Sequence, residues 1–322
     1  MSPAAKPYRA PAWLPGGHAQ TIWPLLIKPT PLKLRRERWT TPDGDFIDVD
    51  HLDAPPGAPV LVLFHGLEGS ARSHYAISTA RACRKAGWHF VLPHFRGCSG
   101  ELNRQPRAYH SGDSAEIDWI LRRLHHANQG RRLHAAGVSL GGNALLKWAG
   151  EQGEMAAELV TGVAAMCAPL DLAGCGHHLA RGFNRLYTQH FLKTLKAVSA
   201  ARLQRFPGLF DAVRMQQAIN LYQFDDAITA PVHGFAGADD YWARASAKPW
   251  LASIRIPALA VNPKNDPFLP AHHLPSQAEV DTSVRLEQPA EGGHVGFVSG
   301  PFPGNLDWLP QRLLHFFQHE TQ

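Results

Sequence analysis

Arg132-Leu133-His134-Ala135-Ala136-Gly137-Val138-Ser139-Leu140-Gly141-Gly142-Asn143-Ala144-Leu145-Leu146-Lys147-Trp148 is the stretch on which the fold turns. Its first five residues have strand character and its last six have helical character. Between them stands Gly137-x-Ser139-x-Gly141. A serine set between a strand and a helix by two glycines lies on a turn so tight that side chains at the flanking positions would collide. The strain lifts the Ser139 hydroxyl clear of the sheet, as a nucleophile requires. The helix that follows points its positive end at the same spot, so the Leu140 N–H is free to meet an oxyanion.

Working outward, the chain alternates between strands and helices. Pro59–Phe64 is a continuous apolar run, the mark of a strand buried on both faces of a parallel sheet. It leads into His65-Gly66-Leu67-Glu68-Gly69-Ser70, a loop placed to supply a second oxyanion donor, the N–H of Leu67. His65 sits at the strand end and reads as a scaffold for that loop. A helix is expected over 73–86, a strand over 88–93, and a helix from Ser114, with Asp113 among its possible caps, to about His126. Leu159–Cys167 reads as another buried strand. Upstream, 37–41 and 46–52 read as two strands joined by a turn at Pro42-Asp43-Gly44. The apolar, proline-broken stretch from Pro11 to Pro29 cannot be a long helix and is expected to lie over the domain near the site entrance.

From Leu172 to about Ala247 the alternation stops and the sequence is helical. Leu179, Phe183, Leu186, Tyr187, Phe191, Leu195 and Val198 are expected on one face, with Arg and Lys opposite. Seven Lys/Arg and one acid lie between Leu172 and Arg214, so this segment carries the net charge of +5 and the rest is close to neutral. Such a face is either a solvated helix surface or one that meets acidic substrates or, weakly, anionic membrane lipids. No nucleic-acid motif accompanies it, so nucleic acid is not expected as a partner. Strands then resume over 257–262 and 283–288, and a helix covers 307–319.

The loops after these strands carry the remaining chemistry. Asp266 lies in Asn265-Asp266-Pro267, and His294 lies in Glu291-Gly292-Gly293-His294. The chain order Ser139, Asp266, His294 matches a nucleophile, acid and base carried at the same sheet edge. Asp171, after the preceding strand, is the alternative acid. The expected class is α/β with the α/β-hydrolase fold: a mostly parallel central sheet flanked by helices, with a helical cap insertion. The core is divided into residues 1–171, including an N-terminal extension over 1–34, and residues 248–322, with the cap at 172–247. No His-Glu-x-x-His and no zinc spacing occur, and the chemistry needs no metal or organic cofactor. Met1–Arg9 has no apolar core, so no signal peptide is expected. The run Leu159–Leu170 is too short to span a bilayer. Cys83, Cys98, Cys167 and Cys175 are expected as free thiols in a reducing compartment, the cytoplasm.

His65-Gly66-Leu67-Glu68-Gly69, Phe95-Arg96-Gly97-Cys98-Ser99-Gly100-Glu101, Tyr109-His110-Ser111-Gly112-Asp113, Gly137–Asn143 and Asn265-Asp266-Pro267-Phe268 together resemble the bacterial YheT-type hydrolases. Those are related to eukaryotic α/β-hydrolase-domain lipid enzymes and to yeast medium-chain ethyl ester synthases. The resemblance covers nearly the whole chain. It implies a serine esterase acting on small acyl esters, with Ser139, Asp266 and His294 as its triad. An acyltransferase working on the same triad is the alternative activity, although no histidine here has an aspartate five positions on. A non-catalytic lipid- or membrane-binding module is the alternative of another class.

Overall fold

The computed structural model describes residues 6–27 and 29–321. The Met1–Ala5 part of the signal-peptide reading, and Lys28 of the proline-rich stretch, lie outside these residues. A short helix α1 (Gly17–Ile22) leads to an antiparallel pair, β1 (Arg35–Thr40) and β2 (Phe46–Leu52). Then β3 (Val60–Phe64), α2 (His74–Ala86), β4 (His89–Pro93), α3 (Ser114–Ala127), β5 (Leu133–Val138), α4 (Leu140–Gln152) and β6 (Val163–Met166) follow in alternation. Six helices fill the next segment: α5 (Leu172–Leu179), α6 (Arg185–Arg205), α7 (Ala212–Gln217), α8 (Leu221–Phe224), α9 (Ala230–His233) and α10 (Ala238–Ala245). The chain returns to the sheet with β7 (Ala258–Val261) and β8 (Val284–Glu287) and closes on α11 (Trp308–His319).

The eight strands form one sheet in the order β1-β2-β4-β3-β5-β6-β7-β8, parallel from β4 to β8. All five residues of β3 are buried, because successive side chains feed opposite layers. Val60, Val62 and Phe64 meet Ile117, Leu121 and Trp148 of α3 and α4. Leu61 and Leu63 meet Ala80 of α2 and Leu313 and Phe317 of α11. Each such side chain contributes roughly 1.5–3 kcal/mol when fully buried. The continuous apolar run at Pro59–Phe64 is therefore a consequence of having helices on both sides.

Order reverses at β3. One crossover runs outward to β4, the next returns past β3 to β5. Ligands bind at such a switch point, outside the carboxyl ends of the strands. The register pairs Phe64 with Gly137, so the loops carrying Leu67 and Ser139 leave the sheet side by side.

Two expectations need correction. The strand expected over Leu159–Cys167 is only Val163–Met166, because the chain first closes α4 with a 3₁₀ turn over Gly153–Glu158. The single apolar stripe expected from Leu179 to Val198 does not exist as one helix face. Leu179 ends α5 and Phe183 lies in a 3₁₀ turn before α6 begins. Phe183 and Leu186 are about half exposed, at 52% and 54%. The buried residues of α6 are Thr188, Leu192, Ser199 and Arg202, so a basic residue expected outside faces inward. The break at Arg181-Gly182 resets the helical phase, and a periodicity carried across it loses its meaning.

Candidate active site

Ser139 sits at the N-terminus of α4 with φ 51° and ψ −121°, a conformation that a residue with a Cβ adopts only under constraint. The constraint is steric. A Cβ on Gly141 would stand 2.5 Å from the carbonyl oxygens of Phe64 and His65, and one on Gly142 would stand 2.9 Å from that of Gly137. The helix can cross β3 this closely only with glycine there. The Ser139 N–H is tied to Met166 O at 2.8 Å, which pins the elbow to the next strand.

Around it stand the two partners named from the sequence. The Ser139 hydroxyl lies 3.1 Å from His294 Nε2, and His294 Nδ1 lies 2.9 Å from Asp266 Oδ2. With Nδ1–H donating to the carboxylate, Nε2 is left to accept from the serine. Asp266 is 4% exposed, and its other oxygen accepts the Phe268 N–H at 2.8 Å. The Phe268 ring stacks on the imidazole with centroids 4.0 Å apart. The alternative acid, Asp171, is elsewhere: it caps α5 and meets His273 Nδ1 at 2.6 Å.

Leu67 and Leu140, the two sequence-named oxyanion donors, line the same cavity as Ser139. The residues on either side of Leu67 are held by tyrosine hydroxyls: the Gly66 N–H donates to Tyr75 and the Glu68 N–H to Tyr109, both at 3.0 Å. The Tyr109 hydroxyl in turn donates to Glu68 Oε1 at 2.7 Å. His65 acts as the loop's scaffold. Its Nδ1–H donates to Gly66 O at 2.8 Å, its Nε2 accepts the Phe95 N–H at 3.0 Å, and burial brings its pKa down to about 3.

Several residues that order the site carry no sequence signal of chemistry. Gln20, fully buried in α1, donates to Leu14 O and Glu291 and accepts from Gly292 N–H and Asn265. Thr21 Oγ1 accepts the His294 N–H at 2.8 Å and donates to Gly17 O at 2.7 Å. Thus α1 splints the two loops that hold His294 and Asp266. Cys167, below them, accepts the Val295 N–H at 3.1 Å. Among the described residues, all non-glycines with positive φ (Glu68, Ser139, Cys167, Val295 and Phe297) belong to these loops. Local strain is concentrated at this edge of the sheet.

Two spaces meet at Ser139. One, about 140 Å³, runs beneath α6 and α8–α10. The other, about 740 Å³ and more open, is bounded by the end of α1 and the residues after it, Ile22, Pro24 and Leu25, and by Tyr187 and Phe191. The Pro11–Pro29 stretch thus borders the site as expected. Cys167, Asp266 and His294 bring ligand atoms within 4.8 Å of one another, the spacing of a metal site. Those atoms are already engaged within the protein: Cys167 Sγ accepts the Val295 N–H, Asp266 accepts from His294 Nδ1 and the Phe268 N–H, and His294 Nε2 faces the Ser139 hydroxyl. All four cysteines are free.

A sheet of this order, with a strained serine after β5 and an acid and a histidine after β7 and β8, defines an α/β-hydrolase. The family model described as the alpha/beta hydrolase fold matches residues 59–301. The chain belongs to that family. Within it, the chain is 38% identical over 305 residues to YheT of Escherichia coli, a candidate esterase by name, covering 92% of this chain and 88% of that one. It therefore belongs with the YheT-type hydrolases. The mouse protein named phospholipase ABHD3 is 28% identical, over 97% of this chain and 78% of its own length. A yeast monoacylglycerol lipase is 24% identical, over 88% of this chain and 63% of its own length. Among solved structures, the Pyrococcus furiosus esterase Pf2001 matches with TM-score 0.58 at 14% identity, covering 100% of this chain and 99% of that one.

Proposed function

We propose that this protein is a serine carboxylester hydrolase of short- to medium-chain acyl esters. The observation that carries the reading is the continuous relay from Ser139 Oγ through His294 to Asp266, at 3.1 and 2.9 Å. Ser139 attacks the ester carbonyl as His294 Nε2 takes its proton, and Asp266 stabilises the imidazolium. The N–H groups of Leu67 and Leu140 receive the oxyanion, each worth roughly 3 kcal/mol of barrier. His294 returns the proton to the departing alcohol, leaving an acyl-enzyme on Ser139. Water, deprotonated by His294, then releases the acid. Relatives named as esterase, phospholipase and monoacylglycerol lipase support an ester substrate.

In this reading residues 172–247 are the cap on a core of 1–171 and 248–322, and the cap's packing sizes the acyl site. Four free thiols suit the cytoplasm. No helix among the described residues is long and apolar enough to cross a membrane. Contact with an anionic lipid surface is favoured by Phe183 and Leu186, half exposed beside Arg181 and Arg185. Sedimentation with anionic vesicles at low salt tests it, and failure to bind ends that part of the reading.

The test of the main reading is hydrolysis of p-nitrophenyl esters of increasing chain length. Ser139→Ala should lower kcat by about 10³-fold or more, and a fluorophosphonate should label the wild type on Ser139 alone. A wild type that neither turns over nor labels would overturn it. Adding an alcohol to the assay separates hydrolysis from acyl transfer by the appearance of a new ester.

A further inference from the structure

Arg202 is the anomaly of the cavity. Of the seven basic residues between Leu172 and Arg214 it alone is buried, at 4% exposure. Its Nε is closed off from solvent and has no hydrogen-bond partner, and no carboxylate lies within ion-pair distance of its guanidinium among the described residues. Taking a guanidinium out of water costs several kcal/mol unless an anion or acceptors replace the lost hydration. The neighbouring acids are committed elsewhere. Glu68 accepts from Tyr109, and Asp45 is bound by Arg96 and by the N–H groups of Arg104 and Gln105. The guanidinium lies close to the Gly97 backbone, where an added Cβ would stand 3.6 Å from Arg202 Nη2.

The placement is as informative as the missing partner. Phe191, Leu195, Val198, Ser199 and Arg202 all line the cavity from α6. Their spacing puts them on one helix face. Phe191 lies at the triad end, against the Phe268 ring that stacks on His294. Arg202 is eleven residues further, about 16 Å along the helix. An apolar lining therefore runs from the nucleophile toward a cation. His233, on the same wall, has a buried Nε2 that also lacks a partner. Burial first, with nearby His110, Arg107 and Arg202 adding, keeps that ring neutral, at about 3. A neutral imidazole can present one N–H to an anion without adding a second charge.

We propose that this end of the cavity is an anion-recognition subsite, in which Arg202 and His233 receive a carboxylate or phosphate carried by the ester that Ser139 cleaves. The substrate class becomes an acyl ester with an anionic group separated from its carbonyl by an apolar segment. This rests on the esterase reading for the reaction, and not for the binding.

The test compares matched esters. One arm sets p-nitrophenyl alkanoates against p-nitrophenyl monoesters of dicarboxylic acids of equal length; the other sets them against p-nitrophenyl alkanoates that carry a phosphate ester at the chain end. The wild type should favour the anionic member of a pair by about tenfold or more at one chain length, as a charge-assisted hydrogen bond would give. The arm in which this occurs identifies the anion. Arg202→Met should remove that preference, and Arg202→Lys should keep part of it. Removing an unpaired buried charge should also leave Tm level or raise it, whereas an Arg202 serving only to brace Glu68 would lower it. Suberate and glycerol 3-phosphate should raise the Tm of the Ser139→Ala protein, and this shift should vanish when Arg202→Met is added. Equal or poorer use of every anionic ester, an unchanged ratio in Arg202→Met, or no ligand-induced shift would overturn the subsite. Loss of all turnover with the thermal shift intact would instead overturn the esterase reading alone.

Discussion

Asp225 shows how much a single carboxyl can cost. It lies half-buried against the cavity and accepts from Thr229 Oγ1 at 2.6 Å and Trp242 Nε1 at 2.8 Å. Burial outweighs these bonds and raises its pKa to about 6. The native state then holds this proton more tightly than the unfolded chain, so stability falls as pH rises from about 4 to about 6 and stays reduced above. Asp225→Asn should therefore stabilise the protein by on the order of 2–3 kcal/mol at pH 8 and by little at pH 4, read from urea unfolding at both values. Equal effects at the two pH values would mean that the carboxyl is not held protonated. Ser139 is the opposite case. Its strain was legible in Gly-x-Ser-x-Gly, because tight turns impose local steric demands that composition records. The demand that buries Asp225 and Arg202 is not local, and nothing adjacent in the chain announces it.

The element that most changes the account is α1. From its proline-broken sequence it reads as a covering segment. In the structure its buried Gln20 bonds the backbone or side chains of Leu14, Asn265, Glu291 and Gly292, and Thr21 holds the His294 N–H. Gln20→Leu would strand the Gly292 N–H and Leu14 carbonyl, each costing about 1–3 kcal/mol. The expected outcome is a lowered Tm together with a fall in kcat of about ten- to a hundredfold and little change in KM, because His294, the base of the proposed mechanism, is displaced and the cavity walls are kept. A fall in Tm with kcat intact would show α1 to be a brace for stability alone. The segment α5–α10 behaves in the complementary way. Its helical character was readable, but the phase of α6 was not, since the turn over Gly182–Asn184 restarts the count.

Across the molecule, the sheet and the helical segment α5–α10 are joined at Asn143. Its amide nitrogen donates to Ser111 O and Ala245 O, and its oxygen accepts the Ala247 N–H. One fully buried side chain on the elbow helix thus ties the loop after β4 to the segment where the cap rejoins the sheet. Asn143→Leu should cost about 2–4 kcal/mol in urea unfolding, and limited proteolysis should cut within 172–247 before the core. Simultaneous cleavage of both would mean that the joint does not control the cap. Short-range sequence patterns carry the sheet, its layers and the three residues Ser139, Asp266 and His294. Apolar runs and the glycine turn are written within a few residues of each position they govern, and the chain order Ser139, Asp266, His294 follows from strand order. Long-range packing is what makes α1 splint the His294 loop, pairs Asp171 with His273, and turns Arg202 inward. Those outcomes depend on contacts between segments up to 273 residues apart, as from Thr21 to His294, and no local spacing encodes which distant side chain will arrive.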